Sequence, residues 1–164
     1  MHRTSWQLMQ LFRDKFLTEM PEASILDIGS RETSRKIKHT YRELFPPPFS
    51  YLGMDIYPGR NVDVVGYEEL EGKQFDVVIS GQVLEHVNHP WEWLKSLTPY
   101  FTKYICIIAP HTWREHKNAN HGVPLDTYRV LPDGMRDLLI YAGFKIVDVI
   151  KSRVDTMGIG TKWM

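Results

Sequence analysis

The chain of 164 residues has one cysteine, Cys106, so an intramolecular disulfide and a multi-cysteine metal site are both excluded. Cys106 lies in the apolar run Tyr104-Ile105-Cys106-Ile107-Ile108-Ala109 and reads as a buried, inert thiol. Net charge is also lacking. Twenty Lys and Arg balance twenty Asp and Glu, which leaves no bulk field to attract nucleic acid or an anionic membrane, and neither is expected as a partner. No apolar run approaches the roughly 20 residues that span a bilayer. The first residues mix Trp6, Leu8, Phe12 and Phe16 with Arg13, Asp14 and Lys15, unlike a secretory segment, so a cytoplasmic location is expected. The Gly-x-Gly-x-x-Gly pattern of dinucleotide sites is missing, which counts against other nucleotide-dependent enzymes on a similar sheet. No internal repeat divides the chain, and Pro46-Pro47-Pro48 is too short for a domain linker.

What is present suits one globular domain, with 43% hydrophobic and 24% charged residues and a length that sustains one core. Trp6, Met9, Phe12, Phe16 and Met20 recur at spacings of three and four. They predict a helix from Ser5 to about Glu19, capped by Thr4 or Ser5 and stopped by Pro21, so that residues 1–20 form a helix packed on a core domain of residues 21–164. Strands are predicted over 24–28, 51–55, 62–65, 75–80, 104–109 and 144–150, with a weak last strand within 154–164. Helices are predicted over 34–45 and 90–97, and from Pro132 to just before Gly143. The unbroken Val77-Val78-Ile79 suggests burial on both faces of a parallel sheet. Strands alternating with helices at this pace predict an α/β fold: a Rossmann-like, doubly wound, mainly parallel sheet with helices on both faces. Ligands bind such sheets beyond the carboxyl ends of the strands.

Three segments lie at those ends: Asp27-Ile28-Gly29-Ser30, Asp55-Ile56, and Ser80-Gly81-Gln82-Val83-Leu84-Glu85-His86. Gly29 has no Cβ, so it can turn tightly and let a ligand approach the backbone. Asp55 ends the next strand, where a carboxylate can accept both hydroxyls of a ribose. The polar connection 111–131 is long enough to be functional and carries His111, His116, His121, Asp126 and Tyr128. His111 directly follows a strand and Pro110, which makes it the best placed candidate for a general base. Trp113, Tyr128 and Trp91 could wall an acceptor pocket, although ordinary packing explains them equally well. The spacing of His111, His116 and His121 does not bring three ligands to one helical face, so no metal is expected.

The stretches Ile25-Leu26-Asp27-Ile28-Gly29-Ser30, Tyr51-Leu52-Gly53-Met54-Asp55 and Phe75 through Leu84-Glu85-His86-Val87 resemble the class I S-adenosylmethionine-dependent methyltransferases. The later run Pro124-Leu125-Asp126-Thr127-Tyr128-Arg129, followed by Pro132-Asp133-Gly134-Met135 and Ala142-Gly143-Phe144, is similar to small members of that family. The resemblance implies S-adenosylmethionine as cofactor and a methyl transfer by in-line displacement to a small-molecule or partner-presented acceptor. It implies that Asp27, Gly29 and Ser30 line the methionine end, that Asp55 holds the ribose, and that Ile56 and Tyr67 border the adenine. Ser80, Gly81 and Gln82 would lie near the departing methyl group, with Glu85 and His86 supporting their loop. Trp113, His121, Asp126 and Tyr128 would face the acceptor.

One departure stands out. Arg31 occupies the position of an expected second glycine and Thr33 that of a third. A Cβ at a left-handed position is strained, so either the loop takes another path or cofactor binding suffers. Arg31 pairing with the cofactor's carboxylate would offset part of that loss. The same departure supports an alternative reading, a catalytically silent Rossmann-like binding module. Cover for the crevice is expected from the first helix, the 111–131 connection and, if the chain forms a homodimer, a second copy.

Overall fold

A short apolar strand buried on both faces needs helices above and below it, and the chain supplies both. The computed structural model describes residues 3–33, 39–114 and 125–163. The helices are α1 (Arg3–Phe16), α2 (Pro90–Ser96) and α3 (Pro132–Tyr141). The strands are β1 (Ser24–Ile28), β2 (Ser50–Asp55), β3 (Val64–Val65), β4 (Phe75–Gly81), β5 (Phe101–Pro110), β6 (Lys145–Lys151) and β7 (Asp155–Thr161). They form one sheet of order β3-β2-β1-β4-β5-β7-β6, parallel except for β7, which runs against both of its neighbours. This is the expected α/β architecture.

Alternation along β1 and β4 feeds two cores. Leu26 and Val78 face one side with Ile105, Ile107, Met135 and Leu139. Ile25, Val77 and Ile79 face the other with Met9, Phe12, Tyr41 and Ile159. The apolar stripe of α1 packs as expected, with Met9 and Phe12 fully buried and Trp6, Phe16 and Met20 partly so. Cys106 is buried in the same core, and its thiol is pushed well above its ordinary range by desolvation.

Three expectations need correction. First, α1 ends at Phe16 and not near Glu19, because after Leu17 the chain tightens into a turn closed by the Met20 N–H on the Leu17 carbonyl at 3.0 Å. Second, the helix expected over 34–45 is absent from its described part. Residues 34–38 lie outside the described residues, and beyond them Tyr41–Leu44 make only a single 3-10 turn. That spacing of three buries both Tyr41 and Leu44, which is the geometry of the tighter helix. Third, the last strand is not weak. β7 is almost wholly buried between β5 and β6. Its glycines explain both the weak sequence signal and the central place. A Cβ on Gly158 would lie 2.5 Å from Met135 Cγ, and one on Gly160 would lie 3.1 Å from Phe144 Cβ. Their smallness lets α3 and its flanking segment press onto the sheet.

Candidate functional site

The strand order reverses between β1 and β4, so the crevice at their carboxyl ends is the place for a ligand. Gly29 closes β1 at φ +81, and the N–H groups of Gly29 and Ser30 both reach the Met54 carbonyl, at 2.8 and 3.0 Å. The close approach at Gly29 is made by the chain itself: a Cβ there would lie 2.1 Å from Val83 Cγ2. Gly29→Ala is therefore expected to destabilise the fold by about 2 kcal/mol through collision and left-handed strain. Adding Val83→Ala should recover the collision part in denaturant unfolding; no recovery would remove Val83 from the account.

Arg31 takes no left-handed conformation. Among the described residues, only Asn61 and Gln82 do so without being glycine. The loop takes another path, locked by Asn61. The Asn61 carbonyl accepts the Ser30 hydroxyl at 2.9 Å, and its amide donates to the Ser30 carbonyl at 2.8 Å. Arg42 Nε donates to the Asn61 side-chain oxygen at 2.8 Å.

Asp55 accepts the Tyr57 N–H at 3.0 Å and the Arg31 N–H at 3.4 Å. The Arg31 side chain lies over this acid, with Nε 3.7 Å from Oδ1 and the guanidinium 5.1 Å from the centre of the Tyr57 ring. Ile56 beside it is half exposed. Tyr67 accepts the Trp93 indole N–H at 2.7 Å, and burial raises its phenol to about 12. Asp27 is buried and accepts the Tyr51 phenol hydrogen. Desolvation outweighs that bond and the nearby Arg42 charge, and lifts Asp27 to about 7.

On the β4 side, the Ser80 hydroxyl donates to the Ile28 carbonyl at 2.7 Å and so ties β4 to β1. Gln82, at φ +63, turns the chain off the strand, and its amide donates to Asp155 Oδ1 at 3.1 Å. Glu85 is fully buried, and neither carboxylate oxygen has a hydrogen-bond partner. Its backbone carbonyl accepts the N–H groups of Thr127 and Tyr128 at 2.8 and 3.2 Å, which docks the segment 125–131 on this turn. His86 Nδ1 lies 3.2 Å from the Leu125 carbonyl and strengthens that docking.

His111 is buried at the end of β5, with Nε2 3.1 Å from the Ser152 carbonyl and no hydrogen-bond partner on Nδ1. Because a carbonyl only accepts, Nε2 carries the hydrogen, and in the neutral ring the lone pair sits on Nδ1. Asp126 makes a bidentate pair with Arg129 at 2.6 and 2.7 Å, and Arg129 also holds the Trp113 carbonyl at 2.6 Å. Tyr128 donates to the Asn88 carbonyl at 2.9 Å. The structure thus uses Asp126 and Tyr128 to fasten the last part of the 111–131 connection. Trp113 lies at its exposed start, while His116 and His121 lie outside the described residues. Trp91 sits apart, on the outer side with Leu138 and Tyr141 of α3. Among the described residues no group of three His, Cys, Asp or Glu is placed to hold a metal ion, and no helix is long and apolar enough to cross a membrane.

Sequence reasoning missed Asn61, Tyr41 and Asp155. None of them sits in a motif, and their roles come from contacts between distant segments.

No protein-family model and no curated protein matches the chain. Solved structures do. The N-terminal domain of EvdMO1, crystallised in the presence of S-adenosylhomocysteine and D-fucose, superposes with a TM-score of 0.64 at 17% identity, over 99% of this chain and 84% of that one. The Burkholderia thailandensis 1,6-didemethyltoxoflavin-N1-methyltransferase, with 1,6-didemethyltoxoflavin and S-adenosylhomocysteine bound, gives 0.68 at 13% identity, over 99% and 78%. The DhpI–S-adenosylhomocysteine complex gives 0.62 at 11%, over 97% and 95%. The fold is the Rossmann-like fold of the class I methyltransferases. At these identities the likeness is one of architecture, and it extends along nearly the whole chain.

Proposed function

We propose that the protein transfers a methyl group from S-adenosylmethionine to a small-molecule acceptor. The observation that carries this is Asp55 at the carboxyl end of β2, its carboxylate fixed by two backbone N–H groups beside the half-exposed Ile56. An acid next to an apolar face is what a ribose and a purine require together. Asp55 would take the ribose hydroxyls, and Ile56 and Tyr67 would border the purine. Asp27, Gly29, Ser30 and Arg31 would hold the methionine end, and Ser80, Gly81 and Gln82 would lie near the methyl group. When bound, the cofactor supplies an activated methyl group. The chain supplies orientation and exclusion of water. His111 Nδ1 would accept a proton at the end of β5, and Trp113 and Tyr128 would border the acceptor. The 1,6-didemethyltoxoflavin bound in one similar structure, and the D-fucose present with another, support an acceptor of that size.

One observation favours a second reading, a silent binding module: the Arg31 side chain covers Asp55. Calorimetry with S-adenosylhomocysteine separates the two. Binding is expected, and Asp55→Ala should weaken it roughly 10- to 100-fold, the worth of one or two hydrogen bonds to a charged group. An Asp55→Ala variant with undiminished affinity would remove the ribose assignment. No heat from either the wild type or Arg31→Ala would establish the silent module.

A further inference from the structure

Beside the proposed methyl position lies a polar cluster assembled from four separate segments. Asp155 begins β7 opposite Pro110, at the carboxyl end of β5, and is fully buried. Its carboxylate accepts the Thr4 hydroxyl on one oxygen and the Gln82 amide on the other, the latter at 3.1 Å. The same amide lies 3.5 Å from the Ser5 hydroxyl, which is 2.5 Å from the Tyr41 hydroxyl. Tyr41 in turn sits on the end of β4, where a Cβ on Gly81 would lie 2.0 Å from the phenol oxygen. Two neighbouring hydroxyls, both brought by the first turn of α1, therefore rest side by side on Asp155, Gln82 and Tyr41.

We propose that this cluster is the acceptor-binding subsite and that it takes an aliphatic polyol. Adjacent hydroxyls of the acceptor replace those of Thr4 and Ser5 when the first turn of α1 withdraws. Its placement as the acceptor's site rests on the methyl-transfer reading; the polyol chemistry does not. A buried carboxylate is met by hydrogen-bond donors, so an acceptor that only accepts would forfeit the bond that the Thr4 hydroxyl now gives Asp155. Gln82 and Tyr41 offer donors of their own, which an ammonium group has no lone pair to meet. A hydroxyl both donates and accepts, as the two hydroxyls now seated there do. The rest of α1 can stay in place, because Leu8, Met9 and Phe12 anchor it in the core. Trp6 reports on the first turn, since its indole N–H donates to the Thr40 carbonyl at 3.2 Å.

The test is calorimetry with glycerol and with D-galactose, with and without S-adenosylhomocysteine, on the whole chain and on Thr4→Ala/Ser5→Ala, Asp155→Asn and Trp6→Phe variants. Polyol binding should tighten about tenfold when the competing hydroxyls are removed and be lost in Asp155→Asn. It should also change an emission component that Trp6→Phe abolishes. If Asp155→Asn does not fold, the Thr4→Ala/Ser5→Ala arm decides alone. Polyol affinity that the double alanine variant leaves unchanged, or no polyol binding to any form while S-adenosylhomocysteine binds normally, would overturn the proposal and leave the cluster as a clasp for α1. Polyol binding with the expected variant pattern but no binding of S-adenosylhomocysteine would keep the subsite and defeat the methyl-transfer reading.

Discussion

Stability should fall as pH rises from about 4.5 to about 8, and Glu85→Gln should remove most of that fall. Glu85 is fully buried, with no hydrogen-bond partner on either carboxylate oxygen and His86 Nε2 3.8 Å from Oε1. Desolvation raises it from 4.5 to about 8, the Asp126 and Asp155 charges push the same way, and Arg129 opposes them. Between those limits the folded chain keeps a proton that the unfolded chain has already released. The unfolded state thus binds fewer protons, so the free energy of unfolding decreases with pH. A shift of this size corresponds to ~5 kcal/mol across the window, an upper figure for one buried acid. Asp27 contributes in the same sense between 3.8 and about 7, under its own burial. The discriminating interval is therefore pH 7 to 8, where only the Glu85 contribution of the two is still changing. Denaturant unfolding of the wild type and Glu85→Gln across this range checks the expectation. Parallel curves would show that Glu85 is ionised in the folded protein at neutral pH.

Gly81→Ala should cost about 3 kcal/mol, at the high end for overpacking. The added methyl would lie 2.0 Å from the Tyr41 hydroxyl and 2.7 Å from two of its ring carbons. Neither side can yield cheaply. Gly81 is the last residue of β4, paired with Ile108 on β5, and Tyr41 is fully buried with its hydroxyl on Ser5. Tyr41→Phe removes only the nearest atom, so the double variant should recover part of the loss and give a clear coupling energy in a double-mutant cycle. Additive losses would mean that the ring has moved aside.

Much of this architecture could be read from local pattern. The unbroken Val77-Val78-Ile79 marked the central strand, and carboxyl-end residues such as Gly29 and Asp55 marked the crevice, because each signal is carried by adjacent residues. What failed was non-local. Ile37, Tyr41, Leu44 and Phe45 have a helical spacing, yet in the described part Tyr41 serves the Ser5 hydroxyl and the β4 end from a single tight turn. Gly29 signals a close approach of a ligand to the backbone, but the group that approaches it is Val83, which no spacing rule names. Asp155 and Thr4 lie 151 residues apart, so their bond has no signature along the chain. The glycines of β7 lowered its strand signal while making room for α3.

The position of β7 also sets an order of assembly. β6 borders β7 alone, and β7 is what joins it to β5. During synthesis β1 to β5 can pair as they emerge, but β6 has nothing to hydrogen-bond until the seven residues that follow it in the sheet have left the ribosome. The two must zip into a hairpin and then close onto the exposed flank of β5 as a unit. Until that moment Ile105, Ile107 and Met135 lack their final cover, so a stalled ribosome would present a sticky, half-closed sheet to the cell's chaperones.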